Sequence, residues 1–256
     1  MFDSDLHVHT VLSGHGSPEA TPDTMLAAAK AAGLKVIGFS DHVIFPEHRS
    51  RPGILRLQLP HQADGMRVYV GCEADVISPT EISVDAAFAL TLDYVLMSAS
   101  HLYVPPGTGH PVEGMDPPAM AAYIISAMNR AVESGLADVI AHPFCVPAGP
   151  YDFGTLVGAA DPERVAKLGE RAMKAGVAIE YNPNVLRHWP QAAKWLYRRL
   201  LETGVKVSVN SDAHSPGGVG CRGPGYATEA EMRAEGIGED RLWSVEDRVS
   251  AGRRRV

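Results

Sequence analysis

Short apolar segments alternate with longer helical patterns along almost the whole chain of 256 residues. This alternation is typical of parallel β-strands joined by helical crossovers. The predicted strands run from Asp5 to Val8, Val36 to Ser40, Val68 to Glu73, Tyr94 to Ser98, Asp138 to Ala141, Val177 to Tyr181 and Val205 to Asn210. Four helical segments lie between them, and each ends on a glycine, which is a common helix stop. The sequence therefore predicts an α/β fold with seven strands.

The composition is that of an ordinary globular protein, with 45% hydrophobic and 21% charged residues. A chain of this length is long enough for one large α/β domain or two small ones. We find no domain boundary, so residues 1–256 are predicted to form a single domain, with 222–256 as a C-terminal extension. Three widely spaced cysteines, Cys72, Cys145 and Cys221, argue against a disulfide framework.

Charge and hydropathy disfavour several classes of partner. The formal net charge is −7, which disfavours long duplex nucleic acid because its binding depends mainly on Lys and Arg. No segment approaches the roughly 20 consecutive apolar residues of a membrane span. The N-terminal segment lacks the basic start and apolar core of a secretory signal. We therefore predict a cytoplasmic protein without a membrane partner, and the sequence predicts no oligomeric state.

Histidine and acidic side chains stand at the ends of nearly all the predicted strands. His7 and His9 are two residues apart, so on an extended strand they share one face. The other positions of this kind are His42, Glu73, His101, His142, Asp212 and His214. A single histidine at a strand end is more often a half-buried polar residue than a metal ligand. Here, however, many such residues would meet, because the carboxyl ends of parallel strands converge on one face. Because imidazole and carboxylate without thiolate suit zinc, iron or manganese, the joint pattern predicts a metal site.

The motifs around these residues resemble those of the PHP (polymerase and histidinol phosphatase) superfamily of metal-dependent phosphoesterases. They are HVH at His7 to His9, SGH at His15, SDH at His42, GCE at Glu73, SASH at His101, AHP at His142, and SDAH at Asp212 and His214. They run from residue 5 to residue 214 in the family's order, so the resemblance covers most of the chain. It implies a distorted seven-stranded β/α barrel, in agreement with the strand count.

The resemblance also implies that these nine residues bind three divalent transition-metal ions, whether zinc, manganese or iron. The implied ligands are His7, His9, Glu73 and Asp212 for the first ion, Glu73, His101 and His142 for the second, and His15, His42 and His214 for the third. Glu73 would bridge the first two ions. A bridging carboxylate suits this role because it holds two ions at the ~3.5–4 Å separation used in two-metal hydrolysis.

By the same resemblance, we expect hydrolysis of a small-molecule phosphate monoester by metal-activated hydroxide. Glu73, Asp212 and Arg187 would be catalytic, and Asp212 or a metal-bound water would protonate the leaving oxygen. In the segment EYNPNVLRHWP, Arg187 matches an arginine that contacts the phosphate in histidinol-phosphate phosphatases of this family. Those enzymes usually carry further basic residues after the AHP motif, whereas HPFCVPAGPY has none, which counts against histidinol phosphate itself.

Two other function classes remain open at this stage. One is a phosphodiesterase or nuclease acting on nucleotides or short single strands, and the other is a non-catalytic metal-binding module. The net charge does not disfavour mononucleotides, and the complete ligand set disfavours a module that only binds metal. Arg49 and Arg51 in FPEHRSRPG are expected to contact phosphate, to form a substrate lid, or to lie in a mobile surface loop. The predicted partner is a small phosphorylated substrate.

Overall fold

The computed structural model describes residues 2–103, 109–221 and 224–250. Its strands are β1 (Ser4–Val8), β2 (Val36–Phe39), β3 (His42–Val43), β4 (Gln62–Ala63), β5 (Met66–Val70), β6 (Cys72–Asp75), β7 (Val95–Ser98), β8 (Val139–Ile140), β9 (Ala178–Tyr181) and β10 (Val207–Val209). Its α-helices are α1 (Pro22–Ala31), α2 (Arg51–Gln58), α3 (Ala86–Ala89), α4 (Pro117–Glu133), α5 (Phe153–Gly158), α6 (Pro162–Ala175), α7 (Pro183–His188), α8 (Pro190–Leu201), α9 (Glu229–Ala234) and α10 (Val245–Ser250). Each predicted strand overlaps at least one observed strand.

The strands pair in two sheets, with the orders β1-β2-β5-β4 and β10-β9-β8-β7-β6-β3. All these pairs are parallel except β4 with β5, which is antiparallel. At one junction between the sheets, Val8 and Ala213 form a single parallel bridge. The fold is therefore α/β with parallel sheets, as predicted, but the described strands do not pair into the single closed seven-stranded barrel that the resemblance implied.

The predicted strand from Val68 to Glu73 is divided between the two sheets at Gly71. Its first part belongs to β5 and its last part to β6, which pairs with β7 and β3 instead of β2. A Cβ atom at residue 71 would lie 2.6 Å from the carbonyl oxygen of Tyr94 and 2.7 Å from Cζ of its ring. Only glycine permits this close approach, which lets the chain change sheets beside a buried tyrosine.

The four predicted helices are the four longest, α1, α4, α6 and α8. Side chains of Thr21, Asp116 and Asp161 accept backbone hydrogen bonds at the N-termini of α1, α4 and α6, which stabilises the first turn. The glycine after each of the four helices has a positive φ, a conformation that L side chains rarely adopt. Helix boundaries were therefore readable from local sequence.

Within the predicted extension, residues 242–248 pack against the N-terminal ends of the strands, whereas residues 226–235 contact α7 and α8. The buried ring of Trp243 joins a small core in which Leu6 of one sheet meets Leu96 of the other. The backbone N–H of Trp243 donates to the carbonyl of Val207 at 2.8 Å, and Arg248 pairs with the buried Asp138 at 3.2 Å. The opposite, carboxyl ends of the strands carry the candidate site. Residues 222–223 and 251–256 of the predicted extension lie outside the described residues.

Two sequence expectations concern features away from the site. Within the described residues, Cys72, Cys145 and Cys221 form no disulfide bond with one another, in agreement with their spacing. Within the described chain, none of the helices combines the length and apolarity that crossing a bilayer requires.

Candidate metal centre

The structure brings together all nine predicted ligands at the carboxyl ends of the strands. Neighbouring imidazole rings lie close, with centroids 4.2 Å apart for His9 and His214, 4.8 Å for His15 and His42, and 5.1 Å for His101 and His142. Several sets of three ligand atoms in this cluster lie within 4.8 Å of one another, and they include His9, His42 and His214, or Glu73, His101 and His142. Residues far apart in sequence thus meet because the parallel strands end side by side.

Glu73 of β6 lies at the centre of the cluster and is fully buried. One carboxylate oxygen, Oε2, is 3.2 Å from Nε2 of His7 and 3.3 Å from Nε2 of His9. The same oxygen is 3.0 Å from Nδ1 of His42, and the other oxygen is 2.7 Å from Nε2 of His142. Burial raises the pKa of Glu73, but the surrounding imidazoles outweigh burial and hold the pKa well below its usual value. Glu73 is therefore ionised and faces both halves of the cluster, as a bridging ligand must.

Asp212 follows β10 in the left-handed backbone region, with φ of 56°. Hydrogen bonds from Ala213 N–H to the carbonyl of His7, and from His9 N–H to the carbonyl of Ala213, hold this turn against the end of β1. The carboxylate lies 3.1 Å from Nε2 of His9 and 3.4 Å from Nε2 of His7, with 31% of the side chain exposed. Burial raises its pKa, yet His7 and its neighbours hold that pKa below the ordinary value. Asp212 is therefore an ionised carboxylate at the open side of the cluster.

His15, His42 and His214 form the outer part of the cluster. The Nε2 atom of His15 lies 3.3 Å from Nε2 of His42 and 2.7 Å from Nε2 of His214. Burial lowers the pKa of all three, to about 4 for His214, so the rings are uncharged at neutral pH. Neutral imidazole is the form that binds metal. Three nitrogen atoms this close together would be better stabilised by a bound cation than by one another.

The donor set fits transition-metal ions. Nε2 of His9 and Nδ1 of His42 are buried and make no well-aligned hydrogen bond among the described residues, although oxygens of Glu73 lie 3.3 Å and 3.0 Å away. A buried polar atom without a partner costs about 1–3 kcal/mol, so native structures rarely leave two in one place without a reason. Imidazole and carboxylate ligands without thiolate match zinc, manganese or iron. Metal binding would satisfy both atoms.

Three residues that the sequence analysis missed contact the Nδ1 atoms of candidate ligand histidines and orient their rings. Glu180 of β9 is 2.7 Å from Nδ1 of His7, Asp75 of β6 is 2.7 Å from Nδ1 of His101, and the hydroxyl of Ser13 is 2.9 Å from Nδ1 of His9. Burial lowers the pKa of His101, but Asp75 outweighs it and raises that pKa to about 9. Such partners fix the ring and its tautomer so that the other nitrogen faces the metal. The signal was available, since Asp75 and Glu180 lie in buried strands, where a carboxylate needs a partner.

A cavity of about 600 Å³ opens beside the cluster. His15, His42 and His101 line its inner side, and Phe45, His48 and Arg51 line its outer wall. Ile44 and Pro147 add apolar surface. This volume is in the range of small-molecule sites.

Arg187 does not join the cluster in the structure. Its guanidinium donates to the carbonyl of Tyr226 at 3.0 Å and to the carboxylate of Glu231 at 2.9 Å, and 39% of the side chain is exposed. It lines a different depression, with Lys194 and Glu235. Two of its hydrogen-bond donors, Nε and Nη2, are therefore already bound to Tyr226 and Glu231. This arrangement disfavours the expected contact between Arg187 and substrate phosphate.

Comparison with known proteins identifies the family. The family model of the PHP domain matches residues 5–184. A probable histidinol-phosphatase of Deinococcus radiodurans is 31% identical over 85% of this chain and 88% of its own length, and a probable phosphatase of Aeromonas hydrophila is 29% identical over 82% and 77%. A crystal structure of histidinol phosphate phosphatase from Lactococcus lactis superposes with a TM-score of 0.64 over 94% of each chain, at 17% identity. This chain belongs to the PHP domain family.

Proposed function

We propose that this chain is a metal-dependent phosphatase that hydrolyses the phosphate monoester of a small molecule. The observation that carries the proposal is the cluster of seven histidines and Asp212 around the buried Glu73, at the edge of a cavity of about 600 Å³. The names of the relatives support it, since they are called probable phosphatases. The Lactococcus lactis structure is described as a complex with zinc, L-histidinol and phosphate, which supports a metal and a small phosphorylated substrate.

The proposed ligand sets are those implied by the resemblance to the PHP family, and several contacts in the cluster support them. His7, His9 and Asp212 would share one ion with Glu73, and His101 and His142 would share a second with it. His15, His42 and His214 would hold a third. Zinc, manganese and iron all accept such mixed sites, and metal supply decides between them in many proteins.

Metal ions held at these sites would supply a hydroxide nucleophile at neutral pH and would neutralise charge on the phosphoryl oxygens. The remaining steps fall to the chain itself. Glu73 would hold the ligand sets of the first two ions in a fixed position relative to each other, because its two oxygens face different histidines. Asp212 is ionised and partly exposed, so it would accept a hydrogen bond from the attacking water and relay a proton from solvent to the leaving oxygen. Ile44, Phe45 and Pro147 exclude water from one side of the cavity.

Cavity size and charge decide which phosphate ester the site suits. About 600 Å³ accommodates a small molecule, whereas a duplex requires an extended basic surface that a chain of net charge −7 does not favour. The open cavity next to the cluster disfavours a module that only stores metal. The phosphodiesterase alternative is tested by comparing the hydrolysis of phosphate monoesters and diesters.

The proposal is tested by kinetics on matched phosphate monoesters and diesters, including histidinol phosphate and mononucleotides, with zinc, manganese or iron added. We expect kcat/KM for the best monoester to exceed that for diesters of the same alcohol by about 10²-fold, because diesters have one fewer charged oxygen for the cationic site. Faster hydrolysis of diesters would replace the proposal with the phosphodiesterase. No hydrolysis with any metal would leave only metal binding.

Arg187→Ala should reduce kcat/KM for a monoester by less than about 3-fold, because its guanidinium is half-exposed and already paired with Glu231. Monoester and diester kinetics on the same metal-replete variant measure the effect, with metal content as the control. A loss of about 10²-fold confined to monoesters would instead show that the ion pair opens and that Arg187 grips the phosphate.

A further inference from the structure

Arg51, the first residue of α2, lines the cavity next to the histidine cluster. Its guanidinium is half-buried and donates to the carbonyl oxygen of His42 at 2.7 Å. Among the described residues, no carboxylate oxygen lies within 4.0 Å of this guanidinium. Arg49 on the same loop differs, because it pairs with Asp85 at 2.7 Å. Arg51 thus brings an unneutralised positive charge to the wall of the cavity.

The nearest carboxylates do not neutralise Arg51. Asp41 interacts with it through space, but the oxygens of Asp41 already accept hydrogen bonds from Thr10, at 2.6 Å from both N–H and hydroxyl, and from Ser13 at 2.7 Å. Glu47 also interacts with Arg51 through space, and its own side chain is exposed to water. A partly desolvated cation without a close partner is unfavourable unless a ligand supplies the partner.

His48 adds a second donor to the same wall. Its Nδ1 lies 3.4 Å from the backbone N of Ile44 and 3.5 Å from that of Phe45, so Nδ1 is the acceptor and Nε2 carries the proton. Burial, followed by the charge of Arg51, lowers the pKa of His48, so the ring is neutral at pH 7. None of the described residues that line the cavity is acidic. The wall therefore offers hydrogen-bond donors and one positive charge beside the apolar ring of Phe45.

We propose that Phe45, His48 and Arg51 form a subsite that selects substrates carrying a second anionic group in addition to the phosphate that is hydrolysed. This inference rests on the proposed phosphatase function and specifies its substrate class. The second group is a carboxylate or another phosphate, held on a short apolar or aromatic linker that packs against Phe45. An amino alcohol such as L-histidinol carries the opposite charge, so its phosphate ester should be a poor substrate here.

Three aryl monoesters test the subsite: phenyl phosphate, 3-carboxyphenyl phosphate and the neutral 3-carbamoylphenyl phosphate. Metal-replete wild type should prefer the carboxylate over the carboxamide by about 10-fold in kcat/KM, as expected for one new charge pair. Arg51→Met should bring this ratio close to one, and Arg51→Lys should keep part of it. Arg49→Met is the matched control and should leave the ratio unchanged. Equal losses on all three esters in Arg51→Met would show that Arg51 contacts the reacting phosphate, which overturns the proposal.

Binding of non-hydrolysable phosphonates separates this subsite from the proposed catalytic function. Calorimetry on the metal-replete protein compares 3-carboxyphenylphosphonate, 3-carbamoylphenylphosphonate and 1,3-phenylenediphosphonate. The subsite is supported, even if no ester is hydrolysed, when a probe with a second anionic group binds wild type more tightly than the carboxamide probe does and this preference is lost in Arg51→Met. The tighter-binding of the two such probes identifies the second group. Hydrolysis of all three esters with equal affinity for the phosphonates would remove the subsite and leave the phosphatase. Thermal melting and metal content confirm that Arg51→Met is folded.

Discussion

Replacing Glu73 with glutamine is expected to lower kcat/KM for a phosphate monoester by about 10³-fold or more, since metal ions supply several kcal/mol of transition-state stabilisation. The carboxylate contacts histidines on both sides of the cluster, at 3.2 Å for His7 and 2.7 Å for His142. A neutral amide keeps the shape but loses the charge and one of the two acceptor oxygens. We therefore expect at least one of the inner ions to be lost with the activity.

His15→Ala is the matched comparison for Glu73→Gln. His15 lies at the outer side of the cluster, where its Nε2 meets only His42 and His214 among the predicted ligands. Its loss should therefore impair one ion and reduce kcat/KM less than the loss of Glu73. Steady-state kinetics and elemental analysis on both purified variants measure the difference. Wild-type turnover in Glu73→Gln, or a larger loss in His15→Ala, would contradict the bridging position of Glu73.

Removing metal should lower the melting temperature by about 10 °C or more. The ligands tie together segments from β1 to the turn after β10, so binding favours the folded chain over the unfolded one. A site loaded at a thousand times its Kd stabilises by about 4 kcal/mol, and each kcal/mol shifts the melting temperature of a protein of this size by roughly 2–4 °C. Without metal, the buried imidazoles and carboxylates of the cluster must satisfy one another.

Differential scanning calorimetry before and after chelation measures this effect, and adding zinc or manganese back should restore the original curve. Glu73→Gln serves as the control, because a variant that binds less metal should respond less to the chelator. An unchanged melting temperature after verified removal of metal would show that the cluster contributes nothing to the stability of the fold.

The positions of most candidate ligands were predictable from sequence because they lie at or just after a strand that local sequence defines, whereas His15 lies in the loop that follows β1. His7 and His9 lie at the end of β1, Glu73 lies in β6, and Asp212 lies just after β10. Parallel pairing then brings strand ends together without further information. Most ends of the four longest helices were predictable for the same reason, since a side-chain cap or a glycine marks them locally.

The division into two sheets was not predictable, because it depends on the packing of Tyr94 against Gly71, which are 23 residues apart. The ion pair of Arg187 with Glu231 was not predictable for a similar reason. Its partner, Glu231, lies in a segment whose position no local pattern specifies, and only the fold shows that the two charges meet. Glu180 lies inside a strand and has no histidine beside it in sequence, so the pattern of histidines at strand ends does not include it. A buried carboxylate within a strand nevertheless implies a partner.

The most direct test of the account is the number of metal ions that each chain binds. Elemental analysis of protein reconstituted with zinc or manganese and freed of unbound metal, with monoester turnover measured on the same sample, gives both quantities together. The account predicts about three ions per chain, with activity appearing as the inner sites that share Glu73 fill. One ion or none after reconstitution, or full activity in protein shown to be free of metal, would contradict it.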